Sequence, residues 1–201
     1  MSPMTSSTAT APRVRSFSAS DLAYVAVFAA LLAALSLAPA IPIGAIGVPI
    51  TLQTLGVALC GLCLGPWRGF AAAGLYVVAG LAGLPIFAGG KAGLGVLAGP
   101  SLGYLIAFPL AALFCGFVAR WAVRRGLSSV TPLLLLAAVL ASRYLVTLPL
   151  AVVGFMLTLG LDLRAAVVAD MPFWIGDFVK AVVAALLAFA VHKAFPRLLG
   201  R

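Results

Sequence analysis

"MPFWIGDFVKAVVAALLAFAVHKAF" (Met171–Phe195) reads as one apolar helix that carries an acid, Asp177, and a base, Lys180, in its first half. A run of this length and apolarity is long enough to cross a bilayer, which takes about 20 residues. Charges inside such a run cost roughly 2.5–3.5 kcal/mol each on the insertion scale. They persist where they face a cavity or find a partner. Asp177 and Lys180 stand at i and i+3 and so share one helix face. With the helix starting near Pro172, they lie roughly 7 Å and 12 Å below its end at about 1.5 Å per residue. That depth suits the floor of a pocket. It also suits a self-neutralising pair that locks helix packing, and the pair alone names no substrate.

The rest of the chain places this segment in a membrane. Of 201 residues, 64% are hydrophobic and 8% charged, with mean hydropathy +1.23. Soluble domains carry about 25% charged residues. Glutamate is absent, and the four acids are Asp21, Asp162, Asp170 and Asp177. A soluble surface cannot be built from this set. The fold class is therefore all-α integral membrane protein. Six transmembrane helices are expected, near Leu22–Ala38, Ile50–Leu64, Phe70–Leu84, Tyr104–Trp121, Pro132–Leu159 and Phe173–Ala194. Prolines 39, 42, 49, 66 and 85 punctuate the first three. No clean internal repeat is visible, which argues against an inverted-repeat transporter.

The net charge of +9 does not signal nucleic acid, because the basic residues sit in short connectors. With the N-terminus inside, nine lie on the cytoplasmic side: Arg13, Arg15, Arg68, Arg120, Arg124, Arg125, Lys193, Arg197 and Arg201. Only Lys91 and Arg164 fall outside, and Arg143 and Lys180 lie within spans. This asymmetry puts both termini in the cytoplasm. Residues 1–20 are expected to be a disordered tail rich in Ser, Thr, Ala and Pro, and 21–201 a single domain. A cleaved signal peptide ending at "APA" (38–40) is the competing reading of the first span.

Three cysteines, Cys60, Cys63 and Cys115, lie in apolar stretches and read as packing residues. The CxxC at 60–63 lacks the further ligands a zinc site needs, and His192 is the only histidine. No metal or cofactor is expected. Two other regions border the same outer mouth as Asp177. The connector 86–104 holds glycines 89, 90, 93, 95 and 99 with Pro100, which exclude a regular helix and let backbone N–H groups approach a ligand. It can cap a pocket, with Lys91 available to an anionic ligand end. In "GVPITLQTLG" (47–56), Gln53, Thr51 and Thr54 supply uncharged donors and acceptors. Thr51 also reads as a helix cap. Arg143 beside Tyr144 reads as a bundle-interior ion pair, with Asp177 one candidate partner. Ala26 and Ala30 are four apart on the first span, a spacing that lets another helix approach.

Three blocks together resemble the BioY family, the biotin-specific S components of energy-coupling factor (ECF) transporters. They are "VPITLQTLGVALCGLCLGPWRG" (48–69), "GLPIFAGGKAGLGVLAGPSLGYLIAFPLAA" (83–112) and "PFWIGDFVKA" (172–181). "GPSLGY" (99–104) departs slightly from the usual family pattern, GPTGGY. The resemblance implies six helices around an outward-facing vitamin pocket capped by loops. Asp177 and Lys180 would bind the biotin head, whose ureido ring offers two N–H donors and one carbonyl. Phe87 and Tyr104 would pack on the bicyclic ring, Gln53 would add a hydrogen bond, and Gly89, Gly90 and Lys91 would meet the ligand from the loop. Ala26 and Ala30 would dock on a transmembrane T component, itself joined to separate ATPase subunits. The expected function is biotin uptake across a bacterial inner membrane, among membrane lipid, with no nucleic acid.

This chain has no GxxxxGK[ST] and should not hydrolyse ATP. An intramembrane enzyme is the rival of another class. "WIGD" (174–177) lacks the first glycine of a GxGD protease motif, and His192 lies near the far end of its span. An S component for a different vitamin, and a small channel or scaffold, are the remaining alternatives.

Overall fold

The computed structural model describes residues 18–39, 48–196 and 198–199. Most of the expected tail, Ala40 of the "APA" site, and Arg13, Arg15, Arg197 and Arg201 lie outside the described residues. Within them, the regular structure is helical, apart from one isolated bridge between Phe87 and Lys91. The α-helices are α1 (Ala19–Leu37), α2 (Gln53–Leu64), α3 (Pro66–Leu81), α4 (Leu102–Arg124), α5 (Thr131–Ser142), α6 (Leu148–Leu159), α7 (Leu163–Asp170) and α8 (Phe173–Ala194). Four stretches are long and apolar enough to cross a membrane: α1, α4, the continuous run 131–159, and α8.

Local chemistry sets the helix ends. Ser18 and Asp21 form a capping box, so α1 starts at Ala19, inside the expected tail. Gly65 takes φ 80° and Pro66 occupies the first position of α3. The helix therefore begins at Pro66, not Phe70, and the corner between α2 and α3 is tight. Arg68 closes that corner. It donates to Leu64 O at 3.0 Å, pairs with Asp21 at 3.2 Å and donates to Leu198 O.

The expected fifth span is not one regular helix. Between α5 and α6, Arg143–Thr147 form a π turn in which Leu148 N–H donates to Arg143 O. Pro149 follows at once and has no N–H to offer the preceding turn, which favours such a widening. The turn buries Ser142, Arg143 and Thr147 together.

α2 has 12 residues, about 18 Å at 1.5 Å per residue, yet it is apolar throughout. Every residue from Leu55 to Leu64 is buried, with α1, α3, α4 and α8 packed around it. Its backbone needs are met within the protein, which is the condition for a short helix at membrane depth. Small residues let the other helices close in. A Cβ on Gly154 would lie 2.6 Å from the Gly103 nitrogen, and one on Gly61 would lie 2.8 Å from Cys115 Cβ. Cys60, Cys63 and Cys115 are free and buried in these contacts.

Candidate ligand-binding site

The start of α2, the loop 86–101 and the N-terminal parts of α4 and α8 meet at one end of the bundle. They surround a cavity of about 630 Å³, part of it open to solvent. The loop is a pair of 3-10 turns, Ala88–Gly90 and Leu94–Ala98. Gly93 N–H donates to Gly80 O at 2.8 Å and pins it to the end of α3. Phe87 is 2% exposed and stands edge-on to Tyr76, with ring centroids 5.5 Å apart.

Asp177 and Lys180 form the polar wall of this cavity. Lys180 Nζ donates to Asp177 Oδ1 at 2.8 Å, to Thr51 O at 2.9 Å and to Thr54 Oγ1 at 3.0 Å. All three of its donors are thus engaged. Thr54 in turn donates to Asp177 Oδ1 at 2.8 Å. The other carboxylate oxygen, Oδ2, accepts Arg143 Nε at 2.6 Å. Arg143 Nη2 donates to Asp170 Oδ2 at 2.5 Å, and that same oxygen accepts Trp174 Nε1 at 2.9 Å. Tyr104 OH donates to the second Asp170 oxygen. Asp170 is 0% exposed, and the other three charges are 9% exposed or less. The cluster holds two acids and two bases, so it is neutral as a whole, and it is coupled through short charge-assisted bonds.

A family model described as the BioY family matches residues 6–197. The chain belongs to the BioY family. The biotin transporter BioY of Rhizobium etli is 39% identical over 184 residues, covering 90% of this chain and 97% of its own length. That of Rhodobacter capsulatus is 38% identical over 187 residues, covering 88% and 95%. A crystal structure of the S-component for biotin from an ECF-type ABC transporter matches with a TM-score of 0.80 at 28% identity, covering 87% of this chain and 91% of that one. The architecture is therefore the S-component fold, and the chain is a multi-pass membrane protein.

On this family fold, six of the residues expected from sequence line one cavity: Gln53, Phe87, Lys91, Tyr104, Asp177 and Lys180. Gln53 is held at both ends. Its amide nitrogen donates to Tyr76 OH at 2.7 Å and its oxygen accepts from Thr51 Oγ1 at 2.8 Å, leaving one N–H and one lone pair for a ligand. Thr51 Oγ1 also accepts the Gln53 N–H at 3.3 Å, a local cap one residue outside the helix boundary. Gly89 and Gly90 are not among the lining residues; both take positive φ, 71° and 72°, in the turn that carries Ala88 and Lys91 to the wall. Ala26 and Ala30 are exposed, while Val25, Ala29 and Leu32 face the bundle.

Sequence reasoning left Asp170 outside the site. It lies at the end of α7, and its place just before Met171-Pro172 gives it the look of a connector acid. Thr54 was noted only as a polar group at the mouth, yet its hydroxyl bridges Asp177 and Lys180. A second cavity of about 410 Å³, part of it open to solvent, shares Thr54, Phe108, Asp177 and Lys180 with the first and is also lined by Ser142, Arg143, Thr147 and Cys115. Among the described residues, Arg143 Nη1 is buried with no hydrogen-bond partner.

Proposed function

We propose that this chain is the biotin-binding subunit of an ECF-type uptake system. It is a transport subunit and not an enzyme. Its relatives are biotin transporters, and the observation that carries the reading to this chain's own residues is the Asp177–Lys180 pair on the wall of a loop-capped cavity. Biotin's ureido N–H groups match the Asp177 carboxylate, and its carbonyl matches the Lys180 ammonium. Thr51 O and Thr54 Oγ1 hold that ammonium in the absence of ligand, so the carbonyl replaces an existing bond. Phe87, Tyr104, Phe108 and Phe173 supply ring contacts from the same cavity.

The chain crosses the bacterial inner membrane six times, with α5 and α6 as one span, α7 at the outer surface and both termini in the cytoplasm. The excess of basic residues at the Arg68 end supports that orientation, and it makes the cavity open outward. Titration of biotin into the detergent-solubilised protein tests the reading. One-to-one saturation at nanomolar ligand is the expected result. Absence of binding, or riboflavin or thiamin outcompeting biotin, would overturn it.

Lys91 is exposed at the mouth and faces the biotin carboxylate. An exposed ion pair is worth about 0.2–1 kcal/mol, so Lys91→Ala should weaken binding no more than about fivefold, and less at high salt. Titrations at two ionic strengths measure this. Ala26 and Ala30 form the outer, lipid-side face of α1 that docks on the T component. Ala30→Trp is expected to leave biotin binding unchanged while abolishing copurification with the T component and the ATPase subunits.

A further inference from the structure

We propose that Arg143, with Asp170 behind it, is a positioning residue of the ligand site: it holds one Asp177 carboxylate oxygen and so fixes which way the other faces. This rests on the biotin-binding reading above. Arg143 lines the second cavity and not the first, so it acts through Asp177. Its guanidinium is divided between two carboxylates, Asp177 through Nε at 2.6 Å and Asp170 through Nη2 at 2.5 Å. The fork is split, and among the described residues Nη1 has no hydrogen-bond partner. What the arrangement achieves is aim. Asp177 Oδ2 is fixed on Arg143, and Oδ1 is left on the side of Lys180 and Thr54. The π turn at 143–147 places the guanidinium there.

Asp170 extends the effect to the opposite wall. It accepts from Arg143, Trp174 and Tyr104, and Tyr104 lines the first cavity. One buried carboxylate therefore sets the Tyr104 ring and, through Arg143, the Asp177 carboxylate. The titratable groups facing Asp177 are few. α8 gives Lys180, the π turn Arg143, α7 Asp170 behind it and α4 Tyr104; α2 gives only the hydroxyls of Thr51 and Thr54. Without the guanidinium, Asp177 Oδ2 loses the donor that fixes it, while Oδ1 keeps Lys180 and Thr54. The carboxylate then pivots about Oδ1 and its aim at the ligand is lost.

Titration of biotin into Arg143→Gln tests this. Binding should weaken roughly tenfold or more, and Arg143→Lys, which keeps a donor without the fork, should recover part of the loss. In an Asp177→Asn background, Arg143→Gln should weaken binding no further, because Arg143 acts through Asp177. Wild-type affinity in Arg143→Gln, or the same weakening with and without the Asp177 carboxylate, would overturn the proposal. A wild type that shows no biotin binding would instead remove the ligand reading on which the proposal rests.

Discussion

Asp177→Asn and Lys180→Ala are each expected to weaken biotin binding by about 30- to 4,000-fold. That range is the about 2–5 kcal/mol that truncating one member of a buried, hydrogen-bonded charge pair costs, at 1.4 kcal/mol per tenfold. The reason is local. Without Lys180, the Thr51 carbonyl, the Thr54 hydroxyl and Asp177 Oδ1 all lose their ammonium partner, and the ligand carbonyl loses its donor. With asparagine at 177, half of the acceptor capacity becomes donor, which faces the donor groups of Lys180, Arg143 and the ureido ring. The double change Asp177→Leu with Lys180→Met is the informative companion. It keeps the cluster neutral and removes both charges, but it leaves Arg143 Nε without its acceptor. That variant should insert and bind no biotin, with a lowered melting temperature. Unchanged biotin retention in both single variants would refute the site assignment.

The second large effect concerns the scaffold. Gly154→Val should abolish most of the folded protein. Gly154 and Gly103 bring α6 and α4 into backbone contact, and a Cβ at 154 would lie 2.6 Å from the Gly103 nitrogen and 2.8 Å from its Cα. Overpacking costs about 1–3 kcal/mol where side chains can give way. Here the obstacle is backbone, so the cost exceeds that range, and the melting temperature should fall by roughly 6 °C or more. Gly74→Val on α3 is the control, since a Cβ there meets nothing within 4 Å. Thermal unfolding followed by size-exclusion chromatography compares the two. Equal melting temperatures would show that α4 and α6 are not packed this closely.

Much of this architecture is legible in the residues because lipid restricts what a chain can do. Apolar runs and prolines mark the spans, and a charge inside an apolar run, as at 177, 180 and 143, stands out against its surroundings. What sequence does not carry is partnership. Asp170 is hidden by its neighbours Met171 and Pro172, which give it the look of a connector acid. Thr54 has no signal of its own, since threonine is common at helix starts. The glycines at 89 and 90 announce an unusual backbone but not which side chains that backbone turns inward. The π turn has a cue in Pro149, but one proline does not say whether a helix kinks, ends or widens.

The buried course of α2 has a further consequence. From Leu55 to Leu64 it is wrapped by protein on all sides, and its first turn holds Gln53 and Thr54 at the cavity. A strut enclosed in this way does not feel the acyl chains. Stretching or thinning the bilayer tilts the outer helices, while the mount that carries those two side chains keeps its length and attitude. The α2 part of the cavity wall is thereby insulated from lipid composition, while Asp177 and Lys180 ride on α8, whose other face, with Ile175 and Val179, is exposed.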